Sequence, residues 1–225
     1  MTALLQIWTI LRKDILVERR SKDLVVSMAV FALVVIVVFN FAFDPGTTQL
    51  QNAAPGILWV ALIFAGNIGL SRAFAREQEN GMMQGLLLCP VERSNIYLAK
   101  VLGNMIFMGI TQIIVLPVMI VFYDLSVGVA YLPLLLILFL GTLGFATTGT
   151  LFSTIAAQTR TREVMLPILL LPVSTPVILC TTKSTALLFK GAAFSQVFSW
   201  IKILIAFDMI FFVLSWLLYE YVVED

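Results

Sequence analysis

Six stretches of this chain are each long enough and apolar enough to cross a membrane as a helix. A helix needs about 20 apolar residues to span a hydrocarbon core of ~30 Å. The first stretch, 24–43, is nearly unbroken Val, Ile, Phe and Leu. The others cover about 54–74, 97–122, 131–157, 164–182 and 199–221. Pro55 is tolerated in the first turn of the second. The third and fourth exceed the minimum, which predicts tilt or an extension beyond the core. The expected fold class is therefore all-α, a polytopic membrane protein of six transmembrane helices. Composition agrees: 60% of the 225 residues are hydrophobic and 12% charged, where a soluble domain carries roughly 45–50% and about 25%. A water-soluble globular enzyme is excluded.

The basic residues predict the orientation. With the N-terminus inside, the inner side holds Arg12, Lys13, Arg19, Arg20, Lys22, Arg72, Arg76, Arg93, Lys100, Arg160 and Arg162. The outer side holds only Lys183, Lys190 and Lys202, which completes the 14 Lys and Arg. Both termini are expected in the cytoplasm. The first stretch reads as a permanent span. It is longer than the 7–15-residue core of a signal peptide, and it ends in Phe43-Asp44-Pro45 without a small-residue cleavage site. Cys89 falls in an inner loop and Cys180 near the outer end of the fifth span, so the two are not expected to pair.

Several function classes fall away. A net charge of +1 offers no field for nucleic acid. The chain has no histidine, hence none of the usual general base, metal ligand or haem ligand. Two cysteines build neither a disulfide framework nor a four-ligand zinc site. No metal site and no bound cofactor are expected, and no catalytic residue.

Before the first span, residues 2–21 place Leu4, Leu5, Trp8, Leu11, Ile15 and Leu16 at helical spacing. This predicts an amphipathic helix in the inner interface. Arg12, Asp14, Arg19 and Arg20 make it a gating element beside a partner, or simply an anchor. Ala61, Ala65, Gly69 and Ala73 form a small-residue ridge suited to close helix packing. Pro167, Pro172 and Pro176 predict a bent or broken fifth span. Residues 183–198 are too apolar for a loop and too short for two crossings, so a re-entrant or interfacial hairpin is expected. Asp208 lies inside the sixth span, where ionisable groups mark functional sites by default. Asn67, Asn104, Thr111 and Gln112 are candidate hydrogen-bonding partners from other spans.

The stretch 72–100, RAFAREQENGMMQGLLLCPVERSNIYLAK, concentrates charge in a chain that otherwise avoids it. It reads as a short amphipathic helix, ended by Pro90, that offers an apolar knob ringed by charges to a docking partner, or as an ordinary positive-inside loop. No GxxxxGK[ST] phosphate loop occurs, so any ATP is handled by another chain.

This stretch resembles the E-x-x-x-G … LL-x-x-P-V … I-x-x-x-K pattern of ABC-2-type permeases, here Glu77, Gly81, Leu87, Leu88, Pro90, Val91, Ile96 and Lys100. With LRKDILVERRSKD at 11–23, the six spans and the length, the chain is similar to the CcmB family, the haem exporter protein B permeases of cytochrome c maturation. Where family members often carry a carboxylate soon after the glycine, Met82-Met83-Gln84 follows here. The resemblance implies a single ABC-2-type transmembrane domain over 1–225 and localisation in a bacterial inner membrane. It implies an ABC ATPase subunit that binds ATP, a second copy of the chain, an integral-membrane haem-handling protein and a periplasmic haem chaperone. It also implies that Arg76, Glu77, Glu79, Gly81, Pro90 and Arg93 face the ATPase. Haem is then a substrate, passed outward or released on its chaperone by ATP-driven movement. An ABC-2-type exporter of a lipid, drug or glycan is the alternative. A secondary transporter, with only Asp208 at the midplane, and an assembly scaffold are further ones.

Overall fold

Away from water, a long apolar run must close its backbone N–H groups on its own carbonyls, and the helix does so within one segment. The computed structural model describes residues 3–44, 46–79, 82–125, 131–157 and 162–223. Its helices are α1 (Ala3–Ser21), α2 (Asp23–Ala42), α3 (Thr48–Glu79), α4 (Met82–Leu87), α5 (Arg93–Phe122), α6 (Tyr131–Ala157), α7 (Arg162–Phe189) and α8 (Phe194–Val222). No strand occurs among the described residues. Among the described residues six helices, α2, α3, α5, α6, α7 and α8, are long and apolar enough to cross a membrane. The chain is all-α, six spans preceded by α1.

Two of the spans are central. The most apolar windows of α3 and α6 are each 72% buried, against 28% or 33% in the other four. Helices α6, α7 and α8 pack on one another, α2 packs on α3 and α5, and α3 packs on α7. Trp59, Leu58 and Leu62 of α3, Ile36 of α2 and Phe145 of α6 fill the core. The outward faces stay apolar: Val26, Val30, Val34 and Val38 of α2 are all exposed, as suits lipid contact. The small-residue ridge of α3 is internal packing, with Ala61 and Ala65 fully buried and Gly69 against Met28 of α2.

Three local features differ from the sequence-based expectation. Residues 183–198 are not a re-entrant or interfacial hairpin. Leu187, Leu188 and Phe189 continue α7 because they pack on the core. Gly191, at φ 67, then ends the helix. The N–H of Gly191 donates to the Leu188 carbonyl (3.1 Å) and that of Ala192 to the Leu187 carbonyl (3.0 Å), which satisfies the end of α7 in the manner of a glycine C-cap. Second, of the two forms expected at its three prolines, bent or broken, α7 is not broken: it runs from Arg162 to Phe189 as one helix. Third, Arg76 and Glu77 do not belong to a separate loop helix; they are in the last turns of α3, and the short α4 starts only at Met82.

Candidate functional site

Arg76 and Glu77 are consecutive on the final turns of α3, so their side chains leave the helix about 100° apart. Both enter ion pairs within the chain. Glu77 is 8% exposed and accepts from the ammonium of Lys100 on α5. The same ammonium lies 2.8 Å from Asp14 Oδ2 on α1. One buried lysine thereby bridges carboxylates from two helices. An ammonium has three donors on a flexible stem, which suits this task. Lys13 adds a second cation, 3.1 Å from Asp14 Oδ1, and brings the group near neutrality. A buried charge requires such pairing, because desolvation otherwise costs several kcal/mol.

Arg76 belongs to a second group beside the first. Its Nη1 donates to Ser21 Oγ at 3.1 Å and its Nη2 to Asp23 Oδ2 at 3.0 Å. It also stands 3.6 Å from Glu18 Oε2. Glu18, on α1 and 6% exposed, accepts from the N–H groups of Leu24 (3.0 Å) and Val25 (2.9 Å). Those are first-turn donors of α2, whose N-cap is Lys22 at φ 59. A lysine side chain has no acceptor, so it cannot cap its own helix. Glu18 does so from the preceding helix, with its charge well placed at the helix N-terminus.

Helix α1 is fixed to α5 by further contacts. Asn95 Nδ2 donates to Gln6 Oε1 at 2.7 Å, Ile10 is buried in a cluster with Ile96 and Tyr97, and Leu11 lies over Gly103. A cavity of about 50 Å³ opens beside the joint, lined by Asp14, Glu18, Arg76, Glu77 and Lys100 among others. It admits a few water molecules and is far too small for a porphyrin.

The remaining candidates divide by place. Arg93 starts α5, and its Nη1 donates to the Glu220 carbonyl of α8 at 3.5 Å. Pro90 is exposed in the turn after α4, with Leu88 88% exposed and Cys89 exposed. Gly81 and the Glu79 side chain lie outside the described residues. Asp14 joins the Lys100 group, whereas Arg12, Arg19 and Arg20 are exposed. Gln112 Nε2 donates to Thr142 Oγ1 (2.6 Å) and Asn104 Nδ2 to Thr150 Oγ1 (2.9 Å), both on α6. Asn67 is buried, and its Oδ1 has no hydrogen-bond partner among the described residues. Asp208, mid-way along α8, is 3% exposed. Neither of its oxygens finds a hydrogen-bond partner among the described residues. Its carboxylate fits against Gly144 of α6, where a Cβ would collide with Oδ1.

No local sequence pattern marks Lys100 as a hub or Glu18 as a cap. The available signal is Glu18 four residues before Lys22, the N-cap of α2.

The family model described as CcmB protein matches residues 5–220, so it takes in every element of this joint. The chain belongs to the CcmB family. Relatives bearing the name heme exporter protein B include that of Pseudomonas aeruginosa, 28% identical over 198 residues, 87% of this chain and 86% of the relative. That of Bradyrhizobium diazoefficiens is 27% identical over 191 residues, 84% and 86%. That of Haemophilus influenzae is 26% identical over 170 residues, 76% of each chain. With its six apolar helices, this CcmB-family chain is a multi-pass membrane protein.

Proposed function

We propose that this chain is the permease subunit of an ABC complex for cytochrome c maturation, with haem as the exported substrate. Its CcmB membership and the name heme exporter protein B carried by its relatives support the haem assignment. It resides in a bacterial inner membrane, with the basic α1 end and both termini in the cytoplasm. A separate ABC ATPase subunit hydrolyses ATP, and a second copy of the chain completes the permease. An integral-membrane haem-handling protein and a periplasmic haem chaperone work with it.

The observation that carries this reading is that Glu77 and Lys100, which bracket α4 in the chain, pair with each other, and that Lys100 also pairs with Asp14 of α1. In this reading the ATPase meets the exposed turn at 88–90 together with Glu79, Gly81 and Arg93. Closure of the ATPase displaces α4. Arg76 and Glu77, at the end of α3, then act as positioning residues that pass the displacement to α1, α2 and α5. The movement biases the spans toward one arrangement, either exporting haem or releasing its loaded chaperone. With no histidine in the chain, a histidine axial ligand comes from another member of the system, and the role of this subunit is conformational.

The test is haem staining of c-type cytochromes in a strain lacking the gene. Loss of covalent haem in all c-type cytochromes, with b-type cytochromes intact and rescue by the gene, is the expected result. Normal c-type haem favours an ABC-2-type exporter of another substrate.

A further inference from the structure

The charges of α1 are sorted by face. Its two acidic residues, Asp14 and Glu18, turn inward, one to Lys100 and one to the N-terminus of α2 and Arg76. Arg12, Arg19 and Arg20 turn outward, and none of them makes an ion pair among the described residues. Between them the same face exposes large apolar side chains: Leu4 is 79% exposed and Trp8 60%, and Leu5 and Leu16 are exposed as well. At 100° per residue, Trp8, Arg12, Leu16 and Arg19 fall within one strip about 80° wide.

A purely aqueous face has no use for an exposed tryptophan and leucines, and a purely lipidic face has none for three unpaired arginines. A surface that accepts both is the headgroup layer of a bilayer, where a buried apolar stripe and attraction to anionic lipid act together. Guanidinium groups match phosphate by paired N–H donors. We infer that the outward face of α1 is a binding site for anionic phospholipid headgroups. Arg12, Arg19 and Arg20 hold the phosphates, and Leu4, Leu5, Trp8 and Leu16 enter the acyl boundary.

This goes beyond the transport reading and does not need it. It does give that reading a second input. Asp14 and Glu18 stand on the opposite face of the same helix, so a headgroup that shifts α1 is felt at Lys100 and Arg76.

The test uses the full-length chain in detergent, with native mass spectrometry counting retained phosphatidylglycerol against phosphatidylcholine. Wild type should retain phosphatidylglycerol preferentially. The triple variant R12Q/R19Q/R20Q should lose about tenfold or more of that preference, given three cations near the surface. High salt should weaken retention in the wild type. The control K183Q/K190Q/K202Q removes the same charge elsewhere and should keep the preference. R12K/R19K/R20K, which keeps the charge, should retain most of it. Undiminished preference in the glutamine triple overturns the assignment, as does an equal loss in the control. A glutamine triple that keeps its lipid but loses a protein partner also overturns it, giving the face to that partner.

Discussion

The ammonium of Lys100 lies 2.8 Å from the carboxylate of Asp14, 86 residues earlier in the chain. Through the same nitrogen it also pairs with Glu77. Helix α1, the end of α3 and the start of α5 therefore share one buried cation. Any displacement of one of them either carries the others along or breaks an ion pair in a site with little water.

Removing the lysine should be costly. Lys100→Met leaves two carboxylates without their shared counter-ion, and breaking a buried pair typically costs about 3–5 kcal/mol. The neutral combination of Asp14→Asn, Glu77→Gln and Lys100→Met removes the uncompensated charge as well. Thermal unfolding in detergent should place the single variant well below wild type and the triple variant close to it. A single variant as stable as wild type would show that the pairing carries little energy.

Glu18 has a distinct role that can be separated from its charge. Glu18→Ala uncaps Leu24 and Val25 of α2 and should cost about 1 kcal/mol. Hydrogen exchange at those two amides should speed up. Glu18→Gln keeps an acceptor oxygen and should slow that exchange again, though it weakens the contact with Arg76. Equal exchange in wild type and Glu18→Ala would remove the capping assignment.

The fit of Asp208 against Gly144 makes a pairwise prediction. Gly144→Ala drives a methyl group into the carboxylate, and such overpacking costs roughly 1–3 kcal/mol. Asp208→Ala should relieve much of that cost, so the double variant should be more stable than the sum of the single effects implies. Asp208→Asn keeps the shape and should assemble normally while lowering transport activity. Full activity of Asp208→Asn would return this residue to a packing role.

The exposed turn after α4 is the docking surface in the proposed complex. Leu88→Asp should sharply reduce co-purification of the ATPase with little change in the stability of the isolated permease, since Leu88 is 88% exposed. Unchanged recovery of the ATPase would place docking elsewhere.

The spans were legible because the length of an apolar run is enough to require a helix, whatever packs against it. What surrounds them was less legible, for reasons that differ from place to place. Arg76 and Glu77 look like loop charges in the sequence. They extend α3 because Arg76 and Glu77 find counter-ions on α1, α2 and α5, which no local pattern reveals. Residues 187–189 read as a separate interfacial element, and only their contacts with the core show them to be the end of α7. The intramembrane amides were visible as candidates, but the threonines of α6 that receive Gln112 and Asn104 were not, because threonine is unremarkable in a span. Lys100 stood in the family-like pattern without a role, since its partners lie 23 and 86 residues away.

The most direct test of coupling through this joint is haem staining of c-type cytochromes in a strain whose only copy carries Asp14→Asn, Glu77→Gln and Lys100→Met together. That variant is expected to fold and to co-purify with the ATPase, so a structural failure is set apart from a loss of transmission. If the joint transmits the ATP-driven movement, covalent c-type haem falls sharply while the complex remains assembled. Wild-type levels of c-type haem from the assembled variant would contradict it.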